Sequence, residues 1–141
     1  MQEVKKLRLQ IKFLIGDFLT AERQALDKIT NPQCKLCTFP EETVEHVLTQ
    51  CGATADTHGH LLPELLNTVL QVQPNCAILS TPIPLQYLTQ FLLDCTSLNL
   101  PATYRVPAHN PHVFHIFAVS RNWCYAISSA RTRLLLKLKK K

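Results

Sequence analysis

Cys34-Lys-Leu-Cys37-Thr-Phe-Pro-Glu-Glu-Thr-Val-Glu-His46-Val-Leu-Thr-Gln-Cys51 places three thiols and one imidazole within eighteen residues, spaced C-x2-C-x8-H-x4-C. That is the number and type of donors that tetrahedral Zn2+ takes. Cys34, Cys37, His46 and Cys51 are therefore the candidate metal ligands. The C-x2-C half suits a tight turn with both sulfurs facing one ion and nearby backbone N–H groups bonding the thiolates. The second half reads as a helix from Glu42 or Thr43, with Val44, Val47 and Leu48 on one side. Cys51 lies about 140° around an ideal α-helix from His46. A regular helix cannot present both to one ion. The expectation is that the helix ends near Gln50 and that Gly52, in a left-handed cap, turns Cys51 back. Two other readings of these cysteines are weaker. Free Cys is often simply buried, and a Cys34–Cys37 disulfide does not suit an intracellular chain.

The same stretch, CKLCTFPEETVEHVLTQC, resembles the C-x-x-C … E-T-x-x-H-x-L-x-x-C segment of non-LTR (LINE-like) retrotransposon polyproteins. That segment is the reverse-transcriptase zinc-binding region, downstream of the polymerase. KKLRLQIKFLIGDFLTAERQ (5–24) is similar to the basic helix that precedes it in such elements. FAVSRNWCYAISSARTRLLLKL (117–138) resembles their C-terminal tail. The resemblance covers residues 5–51 and, more weakly, 114–138. It implies zinc on Cys34, Cys37, His46 and Cys51, and a nucleic-acid partner. The retroviral nucleocapsid knuckle is a different pattern, with a shorter gap between its second Cys and its His. This chain also lacks that motif's glycine and base-stacking aromatic.

The 141 residues suit one domain with a modest core. Six cysteines could indicate a secreted disulfide scaffold, but the metal-like spacing and a charged start without a signal peptide argue for an intracellular chain, nuclear or cytoplasmic. Charge or proline interrupts every apolar run before about 18 residues, so no membrane span is expected. The net charge of +5 is unevenly spread. Leu36 to Tyr104 contains no Lys or Arg and six acidic residues, giving −6; the remainder is +11. Basic ends can contact phosphate or simply solvate helices. The candidates for phosphate contact are Lys5, Lys6, Arg8, Lys12, Lys35, Arg121, Arg131, Arg133, Lys137, Lys139, Lys140 and Lys141.

Apolar periodicity predicts four helices besides the knuckle. Residues 3–29 carry a stripe from Val4 to Ile29, interrupted by Gly16 and ended at Pro32. After a polar stretch from Ala53 to Gly59, residues 61–72 bury Leu62, Leu65, Leu66, Val69 and Leu70, with Pro63 in the first turn. Residues 84–98 turn Leu85, Leu88, Phe91, Leu92 and Cys95 inward. Pro101, Pro107 and Pro111 keep 99–111 irregular. Residues 112–138 bury Val113, Ile116, Phe117, Trp123, Cys124, Ile127 and Leu134. Trp123 could stack a base, though a Trp on such a stripe more often belongs to the core. His58 and His60 read as surface residues. His109, His112 and His115 lack a nearby thiol or carboxylate for a second metal.

These features describe a mostly α-helical chain, a small irregular helical domain with a CCHC zinc knuckle. Its parts are the basic amphipathic helix 3–29, the knuckle 33–52 and a helical region 61–138 with a basic tail. A Gly-rich phosphate loop, H-E-x-x-H, G-x-S-x-G and the deaminase motif are all missing, and no small-molecule substrate or catalysis is expected. The expected role is a zinc-binding accessory module for template RNA or target DNA, with upstream reverse-transcriptase domains as a second candidate partner. The alternative is a structural or protein-interaction module, or a decayed fragment of an element.

Overall fold

Helices and short turns account for the ordered elements, and no strand occurs among the described residues. The computed structural model describes residues 4–6, 8, 11, 33–80 and 83–139. Residues 4–6, 8 and 11 are helical; the rest of the expected helix 3–29 lies outside the described residues. Three α-helices follow the knuckle: α1 (Ala55–Val72), α2 (Leu85–Leu93) and α3 (Val113–Lys139). The main packed pair is α1 on α3, and α2 packs on α3 and on the end of the knuckle.

The core follows the sequence stripes closely. Leu65 and Val69 of α1, Leu88, Phe91 and Leu92 of α2, and Ile116, Trp123, Cys124 and Ile127 of α3 are buried together with Val47 and Leu48 of the knuckle. Trp123 lies wholly in this core, and its indole Nε1–H donates to the Leu48 carbonyl at 2.9 Å. Leu85 and Leu70 are exposed rather than inward, and Phe117 is only half-buried against the core.

Helix ends differ from the sequence expectation for local reasons. α1 starts six residues earlier, at Ala55, so the polar stretch including His58 is helical. Thr54 Oγ1 bonds the Cys51 carbonyl at its start, and Asp56 in the first turn complements the helix dipole. Pro63 consequently lies inside the helix and leaves the i−4 carbonyl, that of exposed Gly59, to solvent. α2 stops at Leu93 instead of running to 98. Asp94 Oδ1 accepts bonds from Thr96 N and Oγ1, an Asx turn that competes with the helix. Cys95 is still buried, but from that turn.

The segment 99–111 is tied down without regular structure. Arg105 Nη2 donates to the Leu100 carbonyl and Nε to that of Ser97, while Val106 N bonds the Cys95 carbonyl. Asn110 Nδ2 caps the end of α1 through the Val72 carbonyl, and its Oδ1 accepts from His112 N ahead of α3.

Candidate metal centre

The first half of the cluster is a closed turn. Thr38 N donates to the Cys34 carbonyl, Cys34 N to the Phe39 carbonyl, and Gln33 Nε2 to the Thr38 carbonyl, all within 3.0 Å. Closing it puts Thr38 at φ 65°. A left-handed conformation costs an L-residue about 1–2 kcal/mol, and a β-branched side chain rarely adopts it. Thr38→Gly removes that strain and adds about 0.5–1 kcal/mol of unfolded-state freedom. The expected net result is a thermal midpoint modestly raised with metal bound, measured by circular dichroism; a lowered midpoint would mean that the threonine hydroxyl contributes more than its backbone costs.

The second half departs from the expected regular helix. Thr43 Oγ1 accepts from His46 N at 3.0 Å, an N-terminal cap that fixes where the imidazole emerges. From His46 to Gln50 the turn is a π-helix, closed by Cys51 N donating to the His46 carbonyl at 2.8 Å. A π-turn closes on an i→i+5 bond and turns less per residue than an α-helix, so residues i and i+5 lie closer around the axis. That wide turn brings Cys51 and His46 to one side. Gly52 is therefore not a left-handed cap; it opens a short 3-10 turn, Gly52–Thr54.

Sγ of Cys34 and of Cys51 are 3.9 Å apart, and Cys37 Sγ lies 3.2 Å from His46 Nε2. All four ligand atoms fall within 4.8 Å of one another. A tetrahedron with Zn–S and Zn–N bonds of normal length has edges of roughly 3.5–3.8 Å, so the donors are near coordinating distance. Cys34, His46 and Cys51 are buried and Cys37 is half-buried. The four residues can hold a metal ion.

Electrostatics at the thiols are mixed. Burial pushes Cys34 up to about 12, against the pull of the Leu36 and Cys37 N–H groups. Burial also raises Cys51, opposed by the Ala53 N–H. Cys37 is pushed up by its partial burial, but the Phe39 N–H, the other two thiols and the Gly52 N–H bring it below the usual thiol value. Burial lowers His46, and with it the cost of presenting a neutral imidazole; Glu42 opposes and Arg131 reinforces this. N–H groups from both halves thus face the sulfurs, the arrangement that favours thiolates.

Two features were hidden from sequence reasoning. Glu42, read from the sequence only as a possible helix start, is wholly buried and forms a 2.5 Å ion pair with Arg131 Nη2. Phe39 stacks on His46 with ring centroids 4.8 Å apart, its outer side half-exposed. No local pattern marks the Glu42 partner, which lies 89 residues away. The Phe39 stack had a weak signal, an aromatic two residues after the second Cys.

No family model, curated protein or solved structure matches the chain. The metal site therefore stands on its own geometry.

The basic residues fall into two groups. Lys5, Arg8, Lys35, Arg133, Lys137 and Lys139 are exposed. Lys6, Arg121 and Arg131 are engaged internally. Lys6 Nζ donates to Asn122 Oδ1 and lies over the Tyr125 ring, and Arg131 is held by Glu42. Lys12, Lys140 and Lys141 lie outside the described residues. His58 is half-buried and stacked near Trp123 rather than on the surface. His112 and His115 stack on each other, and among the described residues only the Cys34–Cys51 group has metal-binding composition and proximity. No helix of the described residues is long and apolar enough to cross a membrane.

Proposed function

We propose that the cluster holds one Zn2+ as a structural ion, and that the chain is an accessory nucleic-acid-binding module, not an enzyme. The observation that carries the zinc reading is the convergence of three sulfurs and one imidazole nitrogen from two unlike turns. Three thiolates and a histidine favour Zn2+ over hard cations such as Mg2+ or Ca2+. Four protein donors complete a tetrahedron and leave no position for substrate, which is the structural arrangement. Native mass spectrometry before and after chelation tests it: one zinc per chain is expected, and a chain of unchanged mass overturns it.

The partner reading rests on the resemblance to the retrotransposon zinc-binding region and on the exposed basic residues. Lys35 at the knuckle and Arg133, Lys137 and Lys139 at the end of α3 offer cations to phosphates. Such contacts position a protein on RNA or DNA and carry little base information. Each phosphate neutralised contributes about −0.9 to the slope of log K against log salt on duplex and about −0.7 on single strands. Titration of a labelled RNA and a duplex at two salt concentrations is expected to give sequence-tolerant, salt-sensitive binding. Replacing Arg133, Lys137 and Lys139 by Gln together should flatten the single-strand slope by about 2. No affinity at low salt, or a slope unchanged in the triple variant, favours instead a structural or protein-interaction module. The internal engagement of Lys6 and Arg131 supports that second reading.

A further inference from the structure

Glu42 and Arg131 line the same small space as Cys34, His46 and Cys51, and that space has no room for a water molecule. The Glu42 carboxylate is wholly buried and four residues before His46. Arg131 reaches it from α3, with 14% of its side chain exposed.

The charges around a bound ion explain why both are there. A divalent ion with three thiolates and a neutral imidazole carries a net charge of −1. Glu42 would add a second negative charge in a space that water does not screen, where like charges repel strongly. The Arg131 guanidinium cancels that charge. The bond to Glu42 gives the planar guanidinium a fixed direction.

We infer that Arg131, held by Glu42, is a positioning and charge-compensating residue for the metal centre, so that metal affinity and docking of the basic end of α3 are coupled. This rests on the metal reading above. Arg131 therefore serves the ion and not a phosphate. By linkage, whatever the docked helix contributes to holding the ion, the ion returns to holding the helix. Lys137 and Lys139 lie on the same helix less than three turns beyond Arg131.

The test is Co2+ titration of the full chain, read by the absorption of cobalt–thiolate coordination, with wild type, Arg131→Gln, Arg131→Lys, Glu42→Gln and the double variant Glu42→Gln/Arg131→Gln. Outer-shell changes typically cost about 10–100-fold in metal affinity. Arg131→Gln is expected to weaken Co2+ at least about tenfold, within that range. Arg131→Lys should recover most of the loss. The double variant should bind more tightly than Arg131→Gln, because the carboxylate that Arg131 neutralises has gone. Glu42→Gln should bind at least as tightly as wild type even where its thermal midpoint falls, since its amide oxygen can still accept from Arg131 while the negative charge beside the thiolates is removed.

That last variant separates electrostatic compensation from packing. If Glu42→Gln loses as much affinity as Arg131→Gln, or the double variant is no better than Arg131→Gln, the pair is only a structural strut and the inference fails. Unchanged affinity in Arg131→Gln also overturns it. Should Arg131→Gln not fold, Glu42→Gln and Arg131→Lys decide the matter by the same criteria. A wild type without cobalt–thiolate absorption, or a Cys37→Ala variant that binds as wild type does, sinks the metal site itself.

Discussion

Cys37→Ala is expected to abolish metal binding and with it the fold of residues 33–52. Apparent binding energies of structural zinc are about 10–16 kcal/mol at neutral pH in zinc-finger peptides, and in such sites binding is coupled to folding. That is as large as the stability of about 5–15 kcal/mol typical of a whole domain. The Cys34 turn and the π-turn at His46–Gln50 meet at the ligand atoms, so losing one sulfur removes their common anchor. Cys124→Ala is the control. Its thiol is buried in α3 outside the cluster, so the variant should keep the ion and lose only core packing. Mass spectrometry of both variants with zinc, together with circular dichroism, checks this; equal zinc content would mean that the ligand set is wrong. Affinity should also fall as pH falls. Cys34, raised to about 12 by burial, and Cys51, raised for the same reason, are protonated at neutral pH without metal. Binding therefore releases their protons, and each displaced proton weakens apparent affinity about tenfold per pH unit of acidification. His46, lowered by burial, adds to this only at a pH below its own depressed value.

Trp123→Ala is expected to be the most destabilising substitution away from the ligands. Removing a fully buried aromatic side chain costs about 3–5 kcal/mol. The indole also donates to the Leu48 carbonyl, in the last turn of the knuckle helix, where carbonyls lack helical partners. An unpaired buried carbonyl costs about 1–3 kcal/mol. Trp123→Phe separates the two contributions, because it keeps most of the packing and loses only the donor. Urea titration with metal saturating should place Trp123→Phe between wild type and Trp123→Ala. An unchanged midpoint for Trp123→Ala would mean that α3 is not docked on the knuckle. The same ring stacks near His58, which burial keeps below its usual pKa. With this much of its surface enclosed, the indole is a core element and not a platform for a base.

The candidate ligands and the apolar stripes were legible because both are local. Cys34, Cys37, His46 and Cys51 lie within one short segment, and the metal geometry restricts their spacing whatever surrounds them. Leu65, Val69, Ile116 and Ile127 were legible because a 3.6-residue period marks the face that must leave water. Helix ends were less legible, since Asp94 competes through a single side-chain turn that periodicity does not register. The sequence also posed a geometric conflict, Cys51 on the wrong side of a regular helix from His46, without deciding how it is resolved. The tertiary structure resolves it with a π-turn, and Trp123, 75 residues downstream of Leu48, donates to the Leu48 carbonyl in that turn. Glu42 and Arg131 make the same point about charge. Read alone, Arg131 was a candidate for phosphate contact and Glu42 a possible helix start, and their pairing depends on where α3 crosses the knuckle. A charged carboxylate leaves water at far lower cost when a cation is delivered to it, and delivery across 89 residues is decided by packing, which no spacing rule encodes.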